Sequence, residues 1–203
     1  EEEMRAAVDE AHRVGKKASV HATVGEASDV SVKVGVNSLE HGHVISEETA
    51  QLMAKQGCYM VPTLWHYKRA KVFGTKGGFK PEVVDNVNRV CNEHAESFIR
   101  VMNAGAPIAA GTDAAGGPGH PAPDLSRELM CMEELGMTRM DVLRSTTSAA
   151  SRLLDLDKKI GRLEVGYAAD LAGFSANPLN GLKTLENPWL VVKAGSVVLH
   201  QDV

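Results

Sequence analysis

The stretch KASVHATVGEASDVSVKVGVNSLEHG, residues 17–42, decides the fold. Lys17-Ala18-Ser19-Val20-His21 is a short apolar run that ends on a polar residue. Gly25 and a helical stretch over residues 26–33 follow, and Val36-Asn37-Ser38-Leu39-Glu40-His41-Gly42 then repeats the run, again with a histidine at its end. Strand, helix and strand at this spacing predict a βαβ unit and a parallel sheet.

The same cycle extends in both directions. Upstream, residues 1–14 form an amphipathic helix with Met4, Ala7, Val8, Ala11 and Val14 on one face, stopped by Gly15. Downstream, Ser46-Glu47-Glu48 opens a helix that runs to Gln56 and closes at Gly57. Cys58 to Val61 reads as a third strand, stopped by Pro62. A long polar loop with Gly74, Gly77 and Gly78 leads to a helix from Pro81 to about Asn103, ended by Gly105. Pro107 to Asp113 is a fourth strand with its loop, and helices follow over 125–134 and 139–154. Four β/α cycles make half of a (β/α)8 TIM barrel, and 203 residues fall short of the roughly 250 of a complete one. The expected class is therefore α/β, with a partial barrel over 1–157 and a β-rich appendage over 158–203. In the appendage the texture changes to short strands at 161–163, 169–174 and 190–199.

Composition narrows the partners. With 43% hydrophobic and 24% charged residues the chain has the balance of a packed domain. A formal charge of -4, spread along the chain without a basic stripe, argues against nucleic acid as a partner. No apolar run approaches the roughly 20 residues that span a bilayer, so no membrane association is expected. Cys58, Cys91 and Cys131 are widely spaced and odd in number, which fits free thiols in a reducing, cytoplasmic setting unless a signal precedes Glu1.

Barrel enzymes gather their chemistry where strands end, because the loops there converge on one pocket. Three strands here close on a metal-ligand type: His21, His41 and Asp113. Imidazole nitrogen and carboxylate oxygen suit zinc and its neighbours in the first transition row. Taken singly, a strand-terminal histidine is more often a hydrogen-bonded structural residue, so spacing alone leaves both readings open.

Val20-His21-Ala22, Leu39-Glu40-His41-Gly42 and Gly111-Thr112-Asp113-Ala114 resemble the strand-five, strand-six and strand-eight motifs of the amidohydrolase superfamily. Ser148-Ala149-Ala150, Ile160-Gly161-Arg162-Leu163-Glu164-Val165-Gly166 and Ala169-Asp170-Leu171 are similar to its closing signature, in which the chain leaves the barrel for a β-sandwich. The branch with imidazolonepropionase-like and Xaa-Pro dipeptidase-like carboxypeptidases is nearest in character. The resemblance implies strands 5 to 8 of the barrel plus part of a small β-sandwich. It further implies a metal-dependent hydrolase of amide-like C–N bonds in peptides, N-acyl amino acids or cyclic amides. By the same resemblance His21 and His41 bind the more exposed divalent metal, most often Zn2+. Asp113 binds the buried one and handles the proton of the attacking water.

The departures from that pattern are large. The family's first-strand His-x-His pair has no counterpart here, and neither does its strand-four lysine. His41 and His43 have the spacing of such a pair but follow a late strand, which makes His43 a solvent-side or substrate-rim residue. His120, in the Gly-Pro-rich loop, and His66 and Tyr67 are candidate substrate contacts, each weighed against a solvated or packing role. Glu26 and Glu40 flank the ligand strands, Glu26 more simply as a first-turn helical charge, and His12 and His94 read as surface or packing residues. Beyond a small-molecule or peptide substrate, the expected partner is a second copy of the chain or the missing N-terminal half, because an open parallel sheet leaves edges to cover. The alternative to an enzyme is a non-catalytic half-barrel, or a subunit that another chain completes.

Overall fold

A computed structural model of the chain describes residues 1–114 and 125–202. Helix α1 (Glu2–Arg13) leads into strand β1 (Ser19–Ala22), α2 (Gly25–Lys33), β2 (Ser38–His41), α3 (Glu47–Gln56) and β3 (Tyr59–Val61). The three strands form a parallel sheet in the order β1-β2-β3, with Val20 opposite Leu39 and Leu39 opposite Met60. Local chemistry explains α3 well. The Ser46 hydroxyl accepts the Thr49 N–H at its N-terminus, and Gly57, at φ 70°, closes it in the left-handed region that glycine enters without a Cβ clash.

The polar loop expected after Pro62 is instead a helix, α4 (Leu64–Phe73), continued by a 3-10 turn over Gly74–Gly77. Its sequence, LWHYKRAKVF, has no clean apolar stripe and no capping side chain at Thr63. Tertiary contacts hold it: α4 packs between α5 (Pro81–Asn103) and α6 (Leu125–Glu134). Helix α5 turns Val87, His94, Phe98 and Val101 inward.

The fourth strand, expected over residues 107–113, shortens to a single parallel bridge between Met60 and Ile108. Met60 N–H donates to the Pro107 carbonyl and Ala109 N–H donates back to Met60. The ladder stops there because β3 itself ends at Val61; on the opposite side of the segment, Ala110 N–H donates to the Ser145 carbonyl. Gly111 then runs so close to Val61 that a Cβ would lie 2.6 Å from its Cγ1.

The single helix expected over 139–154 has three parts: α7 (Arg139–Arg144), a π turn over Ser145–Ala149, and α8 (Ala150–Leu153). Leu39, Ile45, Met53, Met60, Phe98 and Met132 are completely buried where sheet and helices meet. Full burial of such side chains contributes about 1.5–3 kcal/mol each.

Beyond α8, residues 161–163 form no strand. Gly161, at φ 87°, presses on α8 closely enough that a Cβ would lie 2.6 Å from Ser151 Oγ. Strands β4 (Leu171–Gly173), β5 (Leu190–Lys193) and β6 (Ser196–His200) make an antiparallel sheet in sequence order. Its link to the core is a 3-10 turn over Leu182–Glu186, which packs on α6 and buries Leu182. Among the described residues no helix is long and apolar enough to cross a membrane.

Candidate active site

The parallel register that pairs Ala22 with His41 brings the ends of β1 and β2 to one level. The His21 and His41 rings meet there edge to face, centroids 4.5 Å apart. His41 is buried and His21 exposed on the sheet edge. The Thr63 hydroxyl lies 2.7 Å from His41 Nδ1, which fixes the ring and leaves Nε2 as its remaining donor atom. Asp113, half-exposed, does not join the two histidines; its Oδ2 stands 3.2 Å from His66 Nδ1.

Around this pair lies a ring of aromatic groups. Tyr67 packs at 4.0 Å from His43 and 5.8 Å from His41, and His66 sits beside Tyr67 at 4.9 Å. His43 is 8% exposed and packed also against His94. That corrects the solvent-side half of the expectation, because the turn after β2 folds His43 beneath α4 and α5; the substrate-rim half is not contradicted, since His43 lines the cleft beside these aromatic groups. His94 is 1% exposed, and its Nε2–H donates to the His41 carbonyl at 2.9 Å. His12 is exposed and bonds Asn37, Glu26 lies in the first turn of α2, and Glu40 accepts the Ser19 and Ser38 hydroxyls rather than an imidazole proton. His120 lies outside the described residues.

Burial sets the electrostatics. Desolvation first, then the neighbouring histidines, pushes His43 down to about 4, and desolvation pushes His94 down to about 3, so both are neutral at pH 7. His41 is lowered by burial and by His21, against the pull of Asp113. Burial, with the Asp113 charge behind it, raises Tyr67 to about 12 and keeps its phenol a hydrogen-bond donor.

Three non-glycine residues of the site occupy the left-handed backbone region: His41 at φ 69°, Thr63 at 52° and Asp113 at 49°. Each costs on the order of 1–3 kcal/mol, and such strain concentrates at functional positions. Beside the ring opens a cleft of about 670 Å³ that His43, His66 and Tyr67 share with the apolar side chains Val44, Phe79, Val83 and Val87.

Metal fit can be judged from the donors. Zinc takes about four ligands near 2.0–2.3 Å. The His21 and His41 rings stand beside each other at the strand ends, centroids 4.5 Å apart. Among the described residues, however, no group of three or more His, Cys, Asp or Glu side chains converges to hold one. The described residues therefore do not by themselves make a closed coordination sphere.

Thr63 and His94 had no place among the expected site residues. His94 was within reach of the sequence, since it continues the inward spacing of Val87, Phe98 and Val101 along α5. Thr63 carried no local signal.

Residues 1–198 match the family model described as "Amidohydrolase family". An ochratoxinase of Aspergillus niger is 29% identical over 189 residues, 92% of this chain and 38% of its own length. An imidazolonepropionase of Alkaliphilus metalliredigens is 27% identical over 209 residues, 96% of this chain and 44% of its own. Among solved structures, a Xaa-Pro dipeptidase with methionine bound in its active site superposes with TM-score 0.87 at 32% identity. It is covered to 48%, against 97% of this chain. A prolidase complexed with N-methylphosphonate-L-proline gives TM-score 0.88 at 31% identity, with 98% of this chain and 49% of that one covered. The chain spans about half the length of the relatives it matches, or less.

Proposed function

The chain belongs to the amidohydrolase family, and from that premise we propose that it carries the strand-five to strand-eight side of a metal-dependent hydrolase of amide-like C–N bonds, with part of the adjoining β-sandwich. The observation that carries this reading is the His21–His41 pair, held edge to face at 4.5 Å with His41 oriented by Thr63. The residues that would hold a divalent ion, zinc first, are His21 and His41, with Asp113 near and the other donors supplied from outside the described residues. When bound, the ion supplies hydroxide at neutral pH and polarises a carbonyl.

The chain's own groups divide the remaining work. Asp113 accepts the proton of the attacking water at a carboxylate oxygen and delivers it to the leaving amine, with His66 Nδ1 alongside at 3.2 Å. Tyr67, kept protonated, donates to the oxygen on which charge develops. The apolar cleft beside it takes a hydrophobic part of the substrate and keeps water from the reacting bond. The prolidase and ochratoxinase likenesses support a peptide or N-acyl amino acid as substrate.

One observation favours a second reading. With no three-donor group among the described residues, these 203 residues on their own would be a half-barrel without turnover, or a subunit that another chain completes. Metal content of the purified chain, with His21→Ala and His41→Ala beside it, tests the site. Loss of metal in both variants is expected, and unchanged content in both sinks the assignment. Metal binding without hydrolysis of any dipeptide or N-acyl amino acid favours the second reading.

A further inference from the structure

Helix α4 begins in an unusual way. An N-terminal cap ordinarily sits in extended backbone so that its side chain can swing back to the free N–H groups of the first turn. Thr63 occupies the cap position at φ 52° and ψ 42° and makes no capping hydrogen bond. Its hydroxyl is engaged instead by His41 Nδ1. The orphaned N–H groups turn to α6: Leu64 N–H donates to one oxygen of Glu128 at 2.9 Å, and Trp65 N–H to the other at 2.7 Å.

Glu128 is 0% exposed. A carboxylate in such surroundings is costly unless its oxygens are occupied, and here one backbone donor occupies each. The helix it caps carries His66 beside Asp113 and Tyr67 against His41 and His43. The residue just before that helix orients His41. One buried side chain thus stands behind three members of the site and touches none of them.

We propose that Glu128 is a positioning residue: by taking over the cap of α4 it frees the Thr63 hydroxyl to hold His41, and it fixes the turn that presents His66 and Tyr67. A capping role confined to stability would be interchangeable with any other helix cap in the protein. Ser46, which caps α3 through its own hydroxyl, is the matched comparison.

The test uses the full chain, with imidazole nitrogens labelled for NMR so that each ring reports its tautomer and hydrogen bonding. In folded Glu128→Gln the His41 and His66 ring signals shift while those of His12 and His200 stay. Thr63→Val reproduces the His41 change alone, and Ser46→Ala moves neither. If Glu128→Gln does not fold, Glu128→Asp, which keeps the charge on a shorter arm, is read by the same criterion. The catalytic consequence rests on the hydrolase reading: in the metal-loaded protein kcat falls about 10–100-fold, the range for residues that orient ligands, with KM little changed. Unmoved His41 and His66 signals in a folded variant overturn the proposal. Shifted signals in a protein whose wild type hydrolyses nothing leave the positioning role standing and remove the hydrolase reading.

Discussion

Burial raises Glu128 from 4.5 to about 7, against the two backbone N–H groups that favour its charge. The folded protein therefore holds a proton on Glu128 at pH values where the unfolded chain has already released it. Stability from this group is fully present below pH 4.5 and is lost as the pH rises through about 7. The span of about 2.5 units, at about 1.4 kcal/mol each, makes that loss about 3 kcal/mol. His43 and His94 run the other way. Their folded values lie below that of a free histidine, so the stability they contribute is lost as the pH falls through about 4 and about 3. The difference between wild type and Glu128→Gln cancels them. Lys68 from α4 and Cys131 on α6 hold their protons throughout and do not enter. Urea unfolding of both proteins from pH 4.5 to 8 should show wild type losing about 3 kcal/mol relative to the variant across that range. Two parallel curves would refute the buried, half-ionised carboxylate on which the calculation stands.

Phe98→Ala empties a completely buried site between α5 and the sheet and should cost about 3–5 kcal/mol in the same assay. Gly161→Ala adds a Cβ 2.8 Å from the Thr147 carbonyl at φ 87°, and a loss of about 2 kcal/mol in chemical denaturation is expected; no loss would show that the segment lifts freely off α8. Lys17 reaches from the foot of β1 to the Arg152 and Leu153 carbonyls and to Asp155, so Lys17→Met should cost about 1 kcal/mol and lose its effect as salt rises.

The β/α cycle was legible because each element carries its own punctuation. Ser46 and Gly57 bracket α3, Pro81 opens α5, His41 ends β2, and His21 stands one residue before the end of β1. Helix α4 was hidden because its cap lies 63 and 64 residues away on α6, and no local rule finds a carboxylate at that distance. The fourth strand was overread for a related reason. Residues 107–113 look apolar enough to pair, but β3 ends too soon to pair with more than Ile108, and on its other side the segment finds a helix backbone, the Ser145 carbonyl, rather than a strand. The sequence placed His21 and His41 at the ends of successive strands, and the structure sets their rings side by side there, with β1 running one residue further, to Ala22. For His43 the sequence left solvent side and substrate rim open; the structure removes the first, because the backbone turns left-handed at His41 and carries His43 under α4 and α5, where it lines the cleft.

That same Ser145 carbonyl opens the π turn, and a π turn is an α-helix carrying one residue more than its hydrogen-bond ladder needs. A π bulge absorbs that residue by widening one turn, while the helix on either side keeps its phase. A one-residue deletion in 145–149 would therefore close the bulge into plain α-helix and leave Ser151 facing Gly161. What the bulge supplies is local: it begins where the Ser145 carbonyl accepts the Ala110 N–H, three residues before Asp113, so the loop bearing Asp113 is tied to this one widened turn rather than to the length of the helix beyond it.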